Sequence, residues 1–218
     1  MQVDWGVFRF GSFGASGFVS TLGYSRMLWV RFVPDQRFDT LAQCHVGAFE
    51  YFGGVPHEIL YDNMKTVIAA RNAYGSGLHR FHPAFWDFAK SCGFAPRVCQ
   101  PYRAQTKGKV ERSIRYLRES FFVPYMTRAD RSRLSLGELN DAATQWLNTV
   151  ANRRLHRGID DVPWRRWQAE ARTLQPLPAL ALAQPQRAQP TPALARLDCS
   201  ALHHPLAVYE RHIAQVAA

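Results

Sequence analysis

The chain has 218 residues, 47% of them hydrophobic and 13% aromatic, enough for one domain with a real core plus an appendage. Its 27 Lys/Arg against 17 Asp/Glu give a formal charge of +10, which points to an anionic partner, nucleic acid before membrane. No apolar run approaches the ~20 residues of a membrane span, and Met1 is followed by Gln-Val-Asp rather than by the basic and apolar segments of a secretory signal.

Residues 2–10, QVDWGVFRF, read as a strand in which Val3, Trp5 and Val7 alternate with Asp4 and Gly6. Gly11 to Gly17 supply a turn, and 18–23 and 27–33 read as two further strands, completing an antiparallel meander. Asp4 is poorly placed for packing, because a carboxylate on a strand costs solvation unless a cation, a metal or several donors satisfy it. From Arg37 to Phe52 the apolar spacing becomes helical, with Phe38, Leu41, Ala42, His45 and Phe49 on one side and Gly53-Gly54 as the stop. His57 to Asp62 (HEILYD) then reads as a fourth strand. A meander, a crossover helix and a further strand imply a mixed sheet with helices on its faces. Asp62 falls at the carboxyl end of that strand, where open α/β sheets place their chemistry.

Residues 65–81 are turn-rich and read as an excursion from the sheet. Pro83 suits the first turn of a helix to about Ser91, whose Phe85, Trp86 and Phe88 read as core rather than as a platform for bases. Pro96 to Gln100 make a fifth strand. The four cysteines form no CxxC pair and read as free thiols of a cytosolic protein, with Cys92 and Cys99 in the core.

Gln105 to Phe121, QTKGKVERSIRYLRESF, begins as a glycine-hinged loop and becomes a helix with Val110, Ile114, Leu117 and Phe121 on one face. Arg112, Arg115 and Arg118 share the remaining surface, with Lys107 and Lys109 just upstream. Between Arg97 and Arg133 there are ten Lys/Arg and three acids, Glu111, Glu119 and Asp130. A basic helix beside a loop suits a polyanion; the plainer reading is a solvated helix in which Glu111 pairs with Arg115 at i,i+4. Farther on, Ser135 and Glu138 form a capping box for a helix carrying Leu139, Ala143, Trp146, Leu147 and Val150, and Pro163 starts another short helix. Residues 175–192 hold five prolines and read as a linker to a short tail, 193–218.

If the first and fourth strands are neighbours, Asp4 and Asp62 approach each other, and the later helix can carry Glu111 over them. Three converging carboxylates repel one another unless cations lie between them. Oxygen-only ligation favours Mg2+ or Mn2+ over zinc, and two such ions can activate the attacking oxygen and stabilise the leaving oxygen of a phosphodiester.

With QVDWG, TLGYSRML, AFEYFGGVPHEILYDNMKTVI, CQPYRAQTKGKVERSIRYLRESF and the Asn152–Pro163 segment in hand, the chain resembles the retroviral-integrase-like catalytic core of Asp-Asp-Glu transposases, on the RNase H fold. More closely, it looks like the IstA-type transposases of two-gene bacterial insertion sequences, over roughly residues 1–175. The resemblance implies an α/β, RNase H-like mixed five-stranded sheet flanked by helices. It implies a catalytic core at 1–125 and a helical extension at 126–174, ahead of the proline-rich linker and the tail. Asp4, Asp62 and Glu111 match the metal-holding acids of that family, and Asn63, Lys107 and Lys109 match positions near substrate DNA; the basic helix adds Arg112 and Arg115. The implied reaction is metal-dependent cleavage that frees a DNA 3′-end, followed by strand transfer into target DNA. The implied partners are the element's ends, target DNA, an ATPase helper and further copies of the chain, in the bacterial cytoplasm at the nucleoid. The family also carries a helix-turn-helix region ahead of the first strand and a small β-rich domain after the core, so this sequence reads as a truncated copy. Alternative readings are a catalytically inactive DNA-binding or dimerisation remnant and a stand-alone nuclease of the same fold.

Overall fold

β1 (Gln2–Phe10) turns through Gly11 and Ser12 into β2 (Phe13–Thr21), and β2 pairs in turn with β3 (Leu28–Val33), both pairings antiparallel. The structure, a computed structural model, describes residues 1–62, 64–99, 104–129 and 134–177, with the side chains of 104–107 left aside. The first turn is shorter than the glycines suggest. Gly11 does sit in the left-handed region at φ 59°, but Gly14 and Gly17 belong to the strand. Gly17 lies opposite Gly6, and a Cβ on it would come within 2.5 Å of the Phe8 ring. That glycine makes room for an aromatic side chain; it does not bend the chain.

α1 (Phe38–Phe52) follows and ends at Gly53, φ 79°, whose N–H closes back on the last turn. β4 (Glu58–Tyr61) then enters the sheet parallel to β1, with Gln2 opposite Leu60. The excursion that comes next is a two-stranded ribbon, β5 (Ile68–Ala70) with β6 (Arg80–Phe81). α2 (Pro83–Cys92) starts on its proline, and β7 (Ala95–Val98) pairs parallel with β4. The sheet order is β3-β2-β1-β4-β7: five strands, mixed, as the sequence implied. In α2 the aromatic side divides. Phe85 is buried, whereas Trp86 is 40% exposed and stacks on Phe81. The cysteines Cys44, Cys92 and Cys99 are buried.

Alternation assigns each strand residue to one of two faces. Trp5, Phe18 and Trp29 point to the α1 side, where Phe18 meets His45 at 5.0 Å between ring centroids. Phe8 and Phe32 point to the other side, where both meet Phe122. That second side is covered by α3 (Ala104–Leu117), a π-helical turn (Arg118–Phe122), α4 (Val123–Arg128) and α5 (Leu136–Trp146). The stretch read as a hinged loop before Glu111 is thus already helical from Ala104, through Gly108, so Glu111 sits within the helix rather than opening it. α5 carries the expected capping box at Ser135 and Glu138 and runs into a second π-helical turn, Leu147–Ala151. Val150, expected on its apolar side, is 46% exposed. α6 (Pro163–Glu170) opens on its proline as expected. Gln175, at the start of the proline-rich stretch, exchanges both backbone hydrogen bonds with Val55 at 2.8 Å; residues 178–218 lie outside the described residues.

Candidate active site and basic groove

The Gln2–Leu60 register fixes how the first two acids meet. Two residues farther along both parallel strands come Asp4 and Asp62, on strands about 4.8 Å apart. Even-numbered β1 residues face the α3 side: an added Cβ on Gly6 would come within 3.1 Å of Ile114 Cγ2, and Phe8 packs on Phe122. Asp4 shares that face. In β4, Tyr61 points the opposite way, into α1, so Asp62 turns toward the α3 side as well. Both aspartates are half-buried, and Asp4 Oδ1 accepts the Trp5 N–H at 2.9 Å.

The strand end bearing Asp62 is held by a buried polar pair. His45 Nδ1 donates to the Leu41 carbonyl at 2.8 Å, because a carbonyl can only accept, and Nε2 therefore accepts the Tyr61 hydroxyl at 2.7 Å. Burial pulls the His45 imidazole down to about 4 and pushes the Tyr61 phenol well above its ordinary value, so both are neutral.

α3 brings the third acid over the same end of the sheet. Lys109 Nζ reaches the Gly23 carbonyl at 3.4 Å, and Thr21 Oγ1 donates to Ser113 Oγ at 3.1 Å; Thr21 pairs with Gln2 in β1. Glu111 lies between Lys109 and Ser113 in the chain, with its side chain exposed. The register thus puts Asp4 and Asp62 on adjacent strands, with Glu111 on the helix that crosses the same sheet face; among the described residues, no group of three His, Cys, Asp or Glu is gathered to hold a metal. The donors are all carboxylate oxygens, a set that fits a hard divalent cation. Nor do Glu111 and Arg115 form an ion pair among the described residues.

Asn63 and the Lys107 side chain lie outside the described residues. Lys109, Arg112 and Arg115 line a groove of about 460 Å³ on one flank of α3. Its other walls carry Arg26, from the β2–β3 turn, and Arg154, His156 and Arg157, from the loop after the second π-helical turn. Sequence reasoning did not nominate these four. The signal was present in the run Arg153-Arg154-Leu155-His156-Arg157, but nothing local shows that it folds back against α3.

Residues 1–104 match the family of the integrase core domain. The chain is 43% identical over 183 residues to a putative transposase for insertion sequence element IS5376 from Geobacillus stearothermophilus, covering 82% of this chain and 43% of that protein. It is 38% identical over 182 residues to the transposase for insertion sequence element IS21 from Pseudomonas aeruginosa, covering 82% and 45%. The chain thus spans less than half the length of these curated relatives. Among solved structures, it superposes on a chain of the simian T-cell lymphotropic virus intasome with TM-score 0.60 and 17% identity, over 84% of this chain and 57% of that one. It superposes on the HTLV-2 integrase catalytic core domain in complex with magnesium with TM-score 0.56 and 16% identity, over 76% and 93%. The sheet order, the helix laid across it and the close bacterial relatives agree: this chain carries the RNase H-like integrase core of the insertion-sequence transposases.

Proposed function

We propose that this chain is the catalytic core of a DNA transposase, which cleaves DNA to free a 3′-hydroxyl and joins that end to target DNA. The observation that carries this reading is the parallel β1–β4 register, which sets Asp4 beside Asp62 on the sheet face that α3 covers. In this reading Asp4, Asp62 and Glu111 hold the divalent metal on which integrase-core enzymes generally depend, as two Mg2+ or Mn2+ ions. Bound there, such ions lower the proton affinity of the attacking oxygen and offset charge on the leaving oxygen. The aspartates contribute rigid placement, since their strands are locked by pairing and by the His45–Tyr61 bond. Glu111 contributes from a helix whose position depends on its close approach to Gly6. Lys109, Arg112 and Arg115, joined by Lys107 and Asn63 as further DNA contacts, bind the strand that is cut.

As partners of this core the reading takes DNA, further copies of the chain and an ATPase helper, with the bacterial nucleoid as the place of action; these rest on the resemblance to two-gene insertion-sequence transposases. No helix among the described residues is long and apolar enough to cross a membrane.

The test is a nicking assay on labelled duplex ends and a joining assay into plasmid, both with Mg2+ and with Mn2+, beside thermal melting with the same ions. The expected result is a metal-dependent rise in melting temperature that Asp62→Asn abolishes, and cleavage that Glu111→Gln abolishes. Cleavage that persists in Glu111→Gln, or an unchanged metal effect in Asp62→Asn, overturns the site.

A further inference from the structure

The groove on the flank of α3 is too basic for its setting. Among the described residues, six of its lining side chains are cations (Arg26, Lys109, Arg112, Arg115, Arg154, Arg157), and Glu119 is the one acid. These charges are crowded, as their proton affinities show. Burial and then Arg112 and Arg166 pull the Arg26 guanidinium below its ordinary value; burial and then Arg26 do the same to Lys109; burial and then Arg154 do so to His156. Like charges held together, partly out of water, are costly unless an anion joins them.

The groove is also built, not merely populated. Arg26 has a positive φ, 64°, a conformation an L-residue adopts at a cost. Glu170 fixes the turn that carries it by accepting the Tyr24 and Ser25 N–H groups at 3.1 and 2.7 Å. The Nη1 of Arg26 is buried and has no hydrogen-bond partner among the described residues. Across the groove the Arg154 guanidinium lies over the Tyr116 ring at 3.8 Å, so its position is set by packing. His156 Nδ1 accepts the Gly158 N–H at 3.1 Å, which leaves the proton of the neutral ring on Nε2.

We propose that this groove is a discrete phosphate-binding site that seats a backbone phosphodiester of DNA, with Arg26, Arg154, His156 and Arg157 completing a cradle begun by Lys109 and Arg112. The guanidinium groups of Arg26 and Arg157, both in the groove lining, are the donors for the phosphate oxygens, as guanidinium groups suit phosphate geometry. The site lies on the α3 flank that carries Lys109 and Arg112, at the end of the sheet that Asp4 and Asp62 share. It therefore grips the strand at a fixed offset from the carboxylates. The assignment of DNA as the source of the phosphate rests on the reading of the chain as a transposase core; the presence of a phosphate site does not.

Two measurements on the full chain test it: the rise in melting temperature with inorganic phosphate, and the slope of log affinity against log salt for a short duplex. The variant is Arg26→Asn with Arg157→Gln, since asparagine tolerates positive φ. Arg154→Gln with Arg157→Gln serves if the first does not fold, and Arg9→Gln, at the far tip of the β1–β2 hairpin, is the control. The expected result is that phosphate stabilises the unmodified chain and the control but not the groove variant. The variant's salt slope should also fall by roughly 1 for each DNA phosphate it no longer neutralises. Phosphate stabilisation that survives in the groove variant overturns the site. Loss of phosphate stabilisation with an unchanged DNA slope overturns DNA as the ligand. Failure of the unmodified chain to bind DNA at all sinks the transposase reading, while the phosphate measurement still decides the groove.

Discussion

Asn152 pairs with Leu28 as a neighbouring strand would. Its Oδ1 accepts the Leu28 N–H and its Nδ2 donates to the Leu28 carbonyl, both at 2.9 Å. Four residues along the same strand Asn140 repeats the device on Phe32, at 2.7 and 2.9 Å. β3 is an edge of the sheet. Two side-chain amides from the helical layer thus occupy backbone groups that would otherwise invite another strand. Asn152 is buried and touches the Tyr51 hydroxyl as well. Asn152→Ala strands a buried donor and acceptor, and should lower stability by about 2–4 kcal/mol. Asn140→Ala, at a half-buried position, should lower it by about 1–2 kcal/mol. Urea unfolding of both variants checks the order; equal and small effects would mean that water replaces the amides freely.

That relationship marks where the sequence stops being readable. Strands and helices were legible because their apolar periods differ, and the mixed sheet followed from a meander, a crossover helix and a further strand. Asp4 and Asp62 were legible as a pair once the first and fourth strands were taken as neighbours. Nothing in the residue pattern shows that Asn152 will serve as a strand partner 124 positions away, nor that Arg26 and Arg157 will share a groove with Lys109. Gly17 and Gly108 were misread for one reason: glycine signals a turn locally, but here one clears space for Phe8 and the other sits inside α3. Trp86 and Val150 lie at the right helical spacing for burial, yet both are exposed. Spacing fixes a face, and topology alone decides whether that face is covered.

His45 gives the fold a pH dependence with a definite sign. Its folded-state value, about 4, lies below the ordinary 6.5, so the unfolded chain binds the proton more tightly. The neutral ring's contribution is present above pH 6.5 and is lost as pH falls from there toward 4, for a total of about 3 kcal/mol. Stability measured by urea between pH 7 and pH 4.5 should therefore fall. His45→Gln should be less stable at pH 7 and flatter across that range. A variant as steep as the unmodified chain would show that other groups, His156 among them, carry the slope.

Gly6 links packing to catalysis most directly. A Cβ there would stand 2.7 Å from Phe8 Cε2 and 3.1 Å from Ile114 Cγ2, so Gly6→Ala must move either the Phe8 ring or α3. The ring has little freedom, since it packs edge-on against Phe32 and Phe122 at 5.1 Å from each. It also approaches the position a Cβ would take on Gly17 across the pair. The helix is the softer partner, and Glu111 rides on it one turn before Ile114. Overpacking of this kind costs about 1–3 kcal/mol, which a domain can survive, whereas a shift of about 1 Å in a reacting group can cost on the order of 100-fold in rate. Gly6→Ala should accordingly melt a few degrees lower yet lose most of its metal-dependent cleavage, with duplex affinity at low salt nearly unchanged. Ile114→Ala, combined with it, should recover part of the cleavage by giving the new methyl group room. If the double variant recovers nothing, or if the single variant cleaves normally, the placement of Glu111 does not depend on the close approach of α3 to β1.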